Sequence, residues 1–189
     1  VKPGYQSFPA HLASNIKLLI LDVDGVLTDG RIILGEAGDE HKMFNVRDGH
    51  GIKLAQRADI QVAILTGRTS GAVNARAREL GINLVIQGSL NKMEGLHILL
   101  AKTGLDATCC AYMGDDIVDL PAMQLCQLQM APADAHPAVT SHADWSSDFS
   151  GGHGAVRQAI EGLILATGAW QKVIGEPYNI SACQCGWPA

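Results

Sequence analysis

Asp22 and Asp24 stand two residues apart at the end of an apolar run, in the stretch Leu18 to Gly30 that reads LLILDVDGVLTDG. In an extended chain residues i and i+2 share a face, so both carboxylates lie on one side where the strand emerges into solvent. Two like charges held that close need a cation or a shared proton. This is the equipment of a metal-assisted site in which one carboxylate is nucleophile or ligand and the other an acid and base. Further polar groups punctuate the chain at Thr66-Gly67-Arg68, Lys92 and Gly114-Asp115-Asp116. The carboxylates suit Mg²⁺, a hard cation that keeps several waters and binds few protein ligands. Thr66 offers a hydroxyl, the Gly67 backbone at a helix start offers N–H donors to an anion, and Lys92 supplies a point charge to a phosphoryl oxygen. The chemistry expected is phosphomonoester hydrolysis: Asp22 attacks phosphorus in line to give an aspartyl phosphate, and Asp24 protonates the leaving oxygen and then deprotonates the water.

These groups need a scaffold that brings distant segments together. Ile16 to Leu21 reads as a short continuous apolar run, the pattern of a parallel strand covered on both faces, and Gln61 to Leu65 as another buried-strand run; Asn83 to Ile86, Thr108 to Met113 and Leu128 to Ala131 are strand-like. Between them, helices are expected from an Asp48 cap through Ala55, over Ser70 to Leu80 and Lys92 to Lys102, around Asp119 to Leu125, and finally over Gly154 to Ala166. Gly81 and Gly104 close two of them. Repeated strand-then-helix units predict an α/β fold, a parallel sheet with helices on both faces. Ligands of such sheets bind beyond the C-terminal strand ends, where the polar clusters fall. Arg31 to Leu34 and His41 to Val46, joined by GEAGDE, predict a β-hairpin whose arms carry Ile32, Ile33, Leu34, Met43, Phe44 and Val46 on both faces. Such a ribbon has little of its own to bury them against, so subunit contacts are expected there. The first fifteen residues read as an irregular lead-in.

The 189 residues suit one domain over 1–189, with the hairpin at 31–46 as an insertion and a C-terminal tail at 171–189. A net charge of −5 without a Lys/Arg cluster excludes nucleic acid as the expected partner. The chain lacks an apolar run long enough to span a bilayer and a signal-like stretch at its start, so no membrane partner and a cytoplasmic location are expected. Five cysteines, an odd number, make no disulfide framework. Cys109, Cys110 and Cys126 read as buried thiols, and Cys183 and Cys185 as thiols on a flexible tail. His41, His50, His97, His136, His142 and His153 show no ligand spacing, although His50 between two glycines is placed to line the cleft.

D-V-D-G-V at 22–26, T-G-R at 66–68, Lys92 and G-D-D-x-x-D at 114–119 together resemble the four motifs of the haloacid dehalogenase (HAD) superfamily phosphatases. The resemblance is closest to the 3-deoxy-D-manno-octulosonate 8-phosphate (KDO 8-phosphate) phosphatase family. It extends from about Leu18 to Trp170 through LTDG, RDGHGI, QGSLNK, GDDIVDLPAM, APADAHPAV and GGHGAVR. It implies a Rossmann-like HAD core with a minimal β-hairpin in place of a cap domain, and four subunits closing one another's sites. It implies Asp22 as nucleophile, Asp24 as acid and base, Thr66 and Lys92 as phosphate contacts, and Mg²⁺ held by the Asp22 side chain, the Asp24 carbonyl and Asp115. Arg68 and Arg76 match positions used toward the sugar acid's carboxylate or the neighbouring subunit. The implied reaction is hydrolysis of a phosphorylated sugar acid to KDO and phosphate, in lipopolysaccharide precursor synthesis. The tail from Gln171 departs from the family's pattern.

Three other readings share parts of this evidence. An N-acylneuraminate 9-phosphate phosphatase would carry every motif. A non-catalytic oligomerisation module related to sugar-nucleotide synthetase fusions need not keep Asp22, Asp24, Lys92 and Asp115 together, and all four are present. Phosphotransfer signalling needs a lasting phosphoaspartate, which an acid/base two residues away would work against.

Overall fold

The computed structural model describes residues 3–36 and 38–188. Short helices α1 (Pro3–Gln6) and α2 (Ala10–Ala13) lead into β1 (Leu18–Leu21), followed by the two-residue strands β2 (Ile33–Leu34) and β3 (Glu40–His41). Helices and strands then alternate through α3 (Val46–Arg57), β4 (Gln61–Leu65), α4 (Gly71–Leu80), β5 (Leu84–Ile86), α5 (Lys92–Thr103) and β6 (Cys110–Met113). The series continues through α6 (Leu120–Met123), β7 (Leu128–Ala131), α7 (Pro137–His142), β8 (Trp145–Ser146) and α8 (Ala155–Ala166). The chain ends in a π-turn (Gln171–Gly175), α9 (Glu176–Tyr178) and a 3₁₀ turn (Cys183–Cys185).

Six strands form a parallel sheet in the order β5-β4-β1-β6-β7-β8. The alternation of side chains explains why the apolar runs are continuous. Leu19 and Leu21 of β1, Val62 and Ile64 of β4, and Ala111 and Met113 of β6 face one core, with α3, α4 and α8. Leu18 and Ile20, Ala63 and Leu65, and Cys110 and Tyr112 face the other, with α5, α6 and α7. Both faces are thus closed, and the expected doubly covered α/β sheet is the fold observed. β1 pairs with β4 on one side and β6 on the other, so the strand order reverses beside it and opens a crevice at its C-terminal end.

Several local expectations change. Val46 begins α3 rather than ending a hairpin arm, and the cap is Asn45, whose side chain accepts from Arg47 N at 2.8 Å. Asp48 lies buried in the first turn and caps a different helix: its carboxylate accepts from Gly154 N at 3.3 Å and Arg157 N at 2.8 Å, at the start of α8. Gly154 has no side chain with which to do this itself. The hairpin is only β2 paired with β3, and Ala37 in its turn lies outside the described residues. Ile32, Ile33, Leu34, Met43 and Val46 are exposed as expected, whereas Phe44 packs against the core.

The described residues near both ends are tied to the core. Gly4 N donates to Asp148 Oδ1 at 3.0 Å, Trp145 Nε1 donates to Gly4 O at 2.8 Å, and Phe8 stacks edge-on against Trp145. The tail, expected to be flexible, turns back so that Trp187 is buried against Tyr5 and Phe8. Its indole Nε1 donates to Glu161 Oε2 at 3.1 Å, while Arg157 Nε pairs with Oε1 at 2.5 Å. Glu161 is buried and needs both donors. Trp187→Ala therefore removes a large apolar side chain and leaves a buried carboxylate oxygen bare, and is expected to cost about 3–5 kcal/mol in denaturant unfolding. A loss under about 1 kcal/mol would mean that the tail contributes little to the fold.

Candidate active site

The crevice at the ends of β1, β4 and β6 holds a pocket of about 310 Å³ lined by Asp22, Asp24, Gly30, Thr66, Gly67, Arg68, Leu90, Lys92, Asp115, Asp116 and Val118. A groove of about 380 Å³ at Gln56, Asp59, Gln61, Gly81 and Asn83 is larger, but offers a single carboxylate. Clustered charge, not volume, singles out the first.

Each side chain is delivered by a local reason. Asp22 continues β1, its N–H donating to Met113 O at 3.1 Å, and its Oδ1 accepts from Val23 N at 2.6 Å. The chain then coils tightly: Leu27 N and Thr28 N both donate to Val23 O, at 2.9 and 3.0 Å. Gly25 has φ +86°, and a Cβ there would lie 2.0 Å from Asp115 Oδ2, so glycine is what lets the two loops meet. Thr66 follows β4 and is buried. Gly67 sits in the loop before α4, which starts only at Gly71 under the Ser70 cap, so it is not at the helix start as expected. Asp115 follows β6, its carbonyl accepting from His136 N at 2.8 Å.

Asp119 is fully buried, and four donors converge on it. Its Oδ1 accepts from Lys92 Nζ at 2.7 Å and Tyr112 Oη at 2.9 Å, and its Oδ2 accepts from Asp115 N at 3.2 Å and Asp116 N at 3.3 Å. It therefore braces the Gly114–Asp119 loop. Lys92 Nζ, also buried, donates to Leu65 O at 3.0 Å and pairs with Asp22 Oδ2 at 2.8 Å. Its three protons thus tie the ends of β1 and β4 to the loop after β6.

The electrostatics are unbalanced toward negative charge. Asp22, Asp115 and Asp119 present oxygens within 4.8 Å of one another. Burial, then the Asp119 charge, push the Asp22 carboxyl up to about 6 against the pull of Lys92. Burial, then Asp22 and Asp119, push Asp115 up to about 8. Asp115 Oδ1 is buried with no hydrogen-bond partner among the described residues. Burial lowers and the two carboxylates raise the Lys92 ammonium, and the carboxylates prevail. An orphaned buried oxygen beside two crowded carboxylates fits a hard divalent cation.

The sequence reading missed Glu40 and Lys42, which the hairpin brings over the pocket. Lys42 Nζ binds Asp24 Oδ1 and lies 2.8 Å from Glu40 Oε1, with its side chain almost wholly buried. Arg68 Nη2 pairs with Glu40 Oε2, and its Nε is 3.8 Å from Asp24 Oδ2. The signal was present: Glu40 and Lys42 are i and i+2 of an extended arm, hence on one face. Arg76 is not brought to this pocket within the chain. It donates to Asn45 O at 3.3 Å, pairs with Glu79 at 2.8 Å and lies 5.9 Å over the Phe44 ring. Nor does His50 line it, for its ring meets Tyr178 Oη at 3.1 Å and Arg157 at 3.3 Å. All five cysteines are free; Cys110 and Cys126 are buried with thiols pushed up to about 12, first by burial, and Cys109 is partly exposed in a 3₁₀ turn.

Comparison with known proteins agrees with this architecture. Residues 85–160 match the haloacid dehalogenase-like hydrolase family. The 3-deoxy-D-manno-octulosonate 8-phosphate phosphatase KdsC of Escherichia coli K12 is 47% identical over 164 residues, 87% of each chain. The crystal structure of the Yersinia pestis phosphatase of the same name superposes with a TM-score of 0.84 at 43% identity, covering 86% of this chain and 88% of that one. The Moraxella catarrhalis enzyme, solved with magnesium, phosphate and KDO, has a TM-score of 0.86 at 37% identity, covering 88% and 96%. With its four motifs on one pocket of a doubly covered parallel sheet, the chain belongs to the KDO 8-phosphate phosphatase family of the haloacid dehalogenase-like hydrolases and is a phosphomonoesterase.

Proposed function

We propose that the chain hydrolyses KDO 8-phosphate to KDO and phosphate with Mg²⁺, serving lipopolysaccharide precursor synthesis. The observation that carries this is the convergence of Asp22, Asp24, Thr66, Lys92 and Asp115 on one pocket, from segments nearly a hundred residues apart in sequence. The Asp22 side chain, the Asp24 carbonyl and Asp115 are the ligands we assign to Mg²⁺, and the orphaned Asp115 oxygen supports that assignment. When bound, the ion neutralises charge on the phosphoryl oxygens and on the crowded carboxylates.

An Asp22 oxygen attacks phosphorus as the bond from phosphorus to the sugar oxygen breaks, and Asp24 gives that oxygen its proton. Asp24, now a carboxylate, takes a proton from water as the water oxygen attacks phosphorus and Asp22 leaves. One phosphomonoester and one water become one alcohol and one phosphate. Lys92 keeps Asp22 aimed while its charge faces the phosphoryl group, Thr66 and Gly67 contact the phosphate from the end of β4, and Arg68 at the pocket mouth meets the sugar acid. Arg76 serves the site only through a neighbouring subunit.

The exposed apolar side chains of the hairpin support a homotetramer with hairpin-mediated contacts. Among the described residues no helix is long and apolar enough to cross a membrane, and we place the enzyme in the cytoplasm. We take 1–189 as a single HAD-like unit with its hairpin at 31–46 and tail at 171–189.

Phosphate release from KDO 8-phosphate and from N-acylneuraminate 9-phosphate tests the substrate. The first is expected to be turned over with at least about 10-fold higher kcat/KM, and equal turnover would remove the basis for the assignment. Mg²⁺ is tested by stability. A carboxyl whose folded pKa is raised contributes stability at low pH that is lost as pH rises, so Asp22 and Asp115 destabilise the metal-free protein progressively from roughly pH 4 to about 8. The rise in Tm on adding Mg²⁺ should therefore grow across that window, and an increment independent of pH would contradict the assigned ligands.

A further inference from the structure

The two oxygens of Asp24 have different surroundings. Oδ1 is held by Lys42 Nζ, whereas Oδ2 is buried and has no hydrogen-bond partner among the described residues. Lys42 is itself fixed, with its side chain 1% exposed and Glu40 Oε1 2.8 Å from its ammonium. Glu40 in turn is gripped by Arg68, whose Nε returns to within 3.8 Å of Asp24 Oδ2. Asp24, Lys42, Glu40 and Arg68 thus form a closed ring of alternating charges, and the formal charges cancel. Burial lowers the Lys42 ammonium, but its contacts to the Asp24 and Glu40 carboxylates outweigh that, so the lysine stays charged and keeps its hold.

We infer that Lys42 is a positioning residue for the acid/base step: by occupying Oδ1 it turns Asp24 so that Oδ2 alone carries the proton to the sugar oxygen and later takes one from water. The inference rests on the assignment of Asp24 as acid and base. A carboxyl free to rotate presents either oxygen in many orientations, and catalysis by a positioned acid depends on the proton already lying near the oxygen that receives it. The lysine comes from the hairpin, most of whose apolar side chains are exposed. The hairpin is therefore more than a contact surface: the residue that follows β3 sets the angle of the acid.

Leaving-group dependence separates positioning from simple structural support. A primary alkyl phosphate such as KDO 8-phosphate needs a proton on its leaving oxygen, whereas 4-nitrophenyl phosphate does not. In rapid-quench measurements of the first turnover, Lys42→Met is expected to slow phosphoryl transfer from the alkyl ester by about 10²-fold, with KM changed by less than about 3-fold and little loss of transfer from the aryl ester. Lys42→Arg should recover part of the loss. Because Lys42→Met strands Glu40 beside Asp24, the double variant Lys42→Met with Glu40→Gln is measured in parallel and should show the same selectivity. Equal loss on both esters, or no loss on either, would overturn the inference. If the wild-type protein with Mg²⁺ transfers phosphate from neither ester, the phosphatase reading itself fails, and the role of Lys42 fails with it.

Discussion

The site is arranged around a buried ammonium. Lys92 Nζ lies 2.8 Å from Asp22 and 2.7 Å from Asp119, with the carbonyl of Leu65 completing its donors. Burying carboxylates at these strand ends is costly unless they are paired, and one lysine on a facing helix compensates two of them. The same contacts fix the relative positions of β1, β4 and the loop after β6. Asp119, with four donors on its two oxygens, braces that loop. Asp115, left with an oxygen unsatisfied, marks where cationic charge is still lacking.

A second, weaker network sits at the mouth. Asp24, Glu40 and Arg68 are more exposed than the Lys92 cluster, while Lys42 between them is as buried as Lys92; Glu40 and Lys42 come from the hairpin, Asp24 and Arg68 from the loops after β1 and β4. The inner network is built into the sheet; the outer one depends on a ribbon that packs little against its own core. This division suits an enzyme in which the covalent chemistry is fixed and the leaving group is handled by an adaptable element.

The sheet was largely legible in the sequence because strands buried on both faces read as apolar runs, unbroken in β1 and, after Gln61, in β4, and interrupted in β7 only by Gln129. β8, two residues at Trp145 and Ser146, carries no period and was missed, as was α7 before it. Helix ends marked by Ser70, Asn91, Gly81 and Gly104 were local and readable. Asn45 and Asp48 are both capping residue types three positions apart, and only the arrival of α8 decides which of them caps α3. Trp187, buried, and Tyr5 and Phe8, partly buried against it, sit in stretches without periodicity and meet through contacts more than a hundred residues apart in sequence, which no local pattern records. The motif carboxylates and Lys92 were legible by type and spacing. Lys42 was not, because alternation places it on a face without saying which carboxylate that face will meet.

In the proposed reaction Asp22 and Asp24, two residues apart, do different work: one carries phosphate covalently and the other moves protons. Asp24→Asn with Mg²⁺ and an aryl phosphate, whose leaving group needs no proton, separates them by blocking only the second half of the cycle. The phosphoenzyme is expected to accumulate, with mass spectrometry of the quenched, digested protein placing the phosphoryl group on Asp22. Absence of any covalent phosphate while turnover continues, or its location on another residue, would contradict this division of roles.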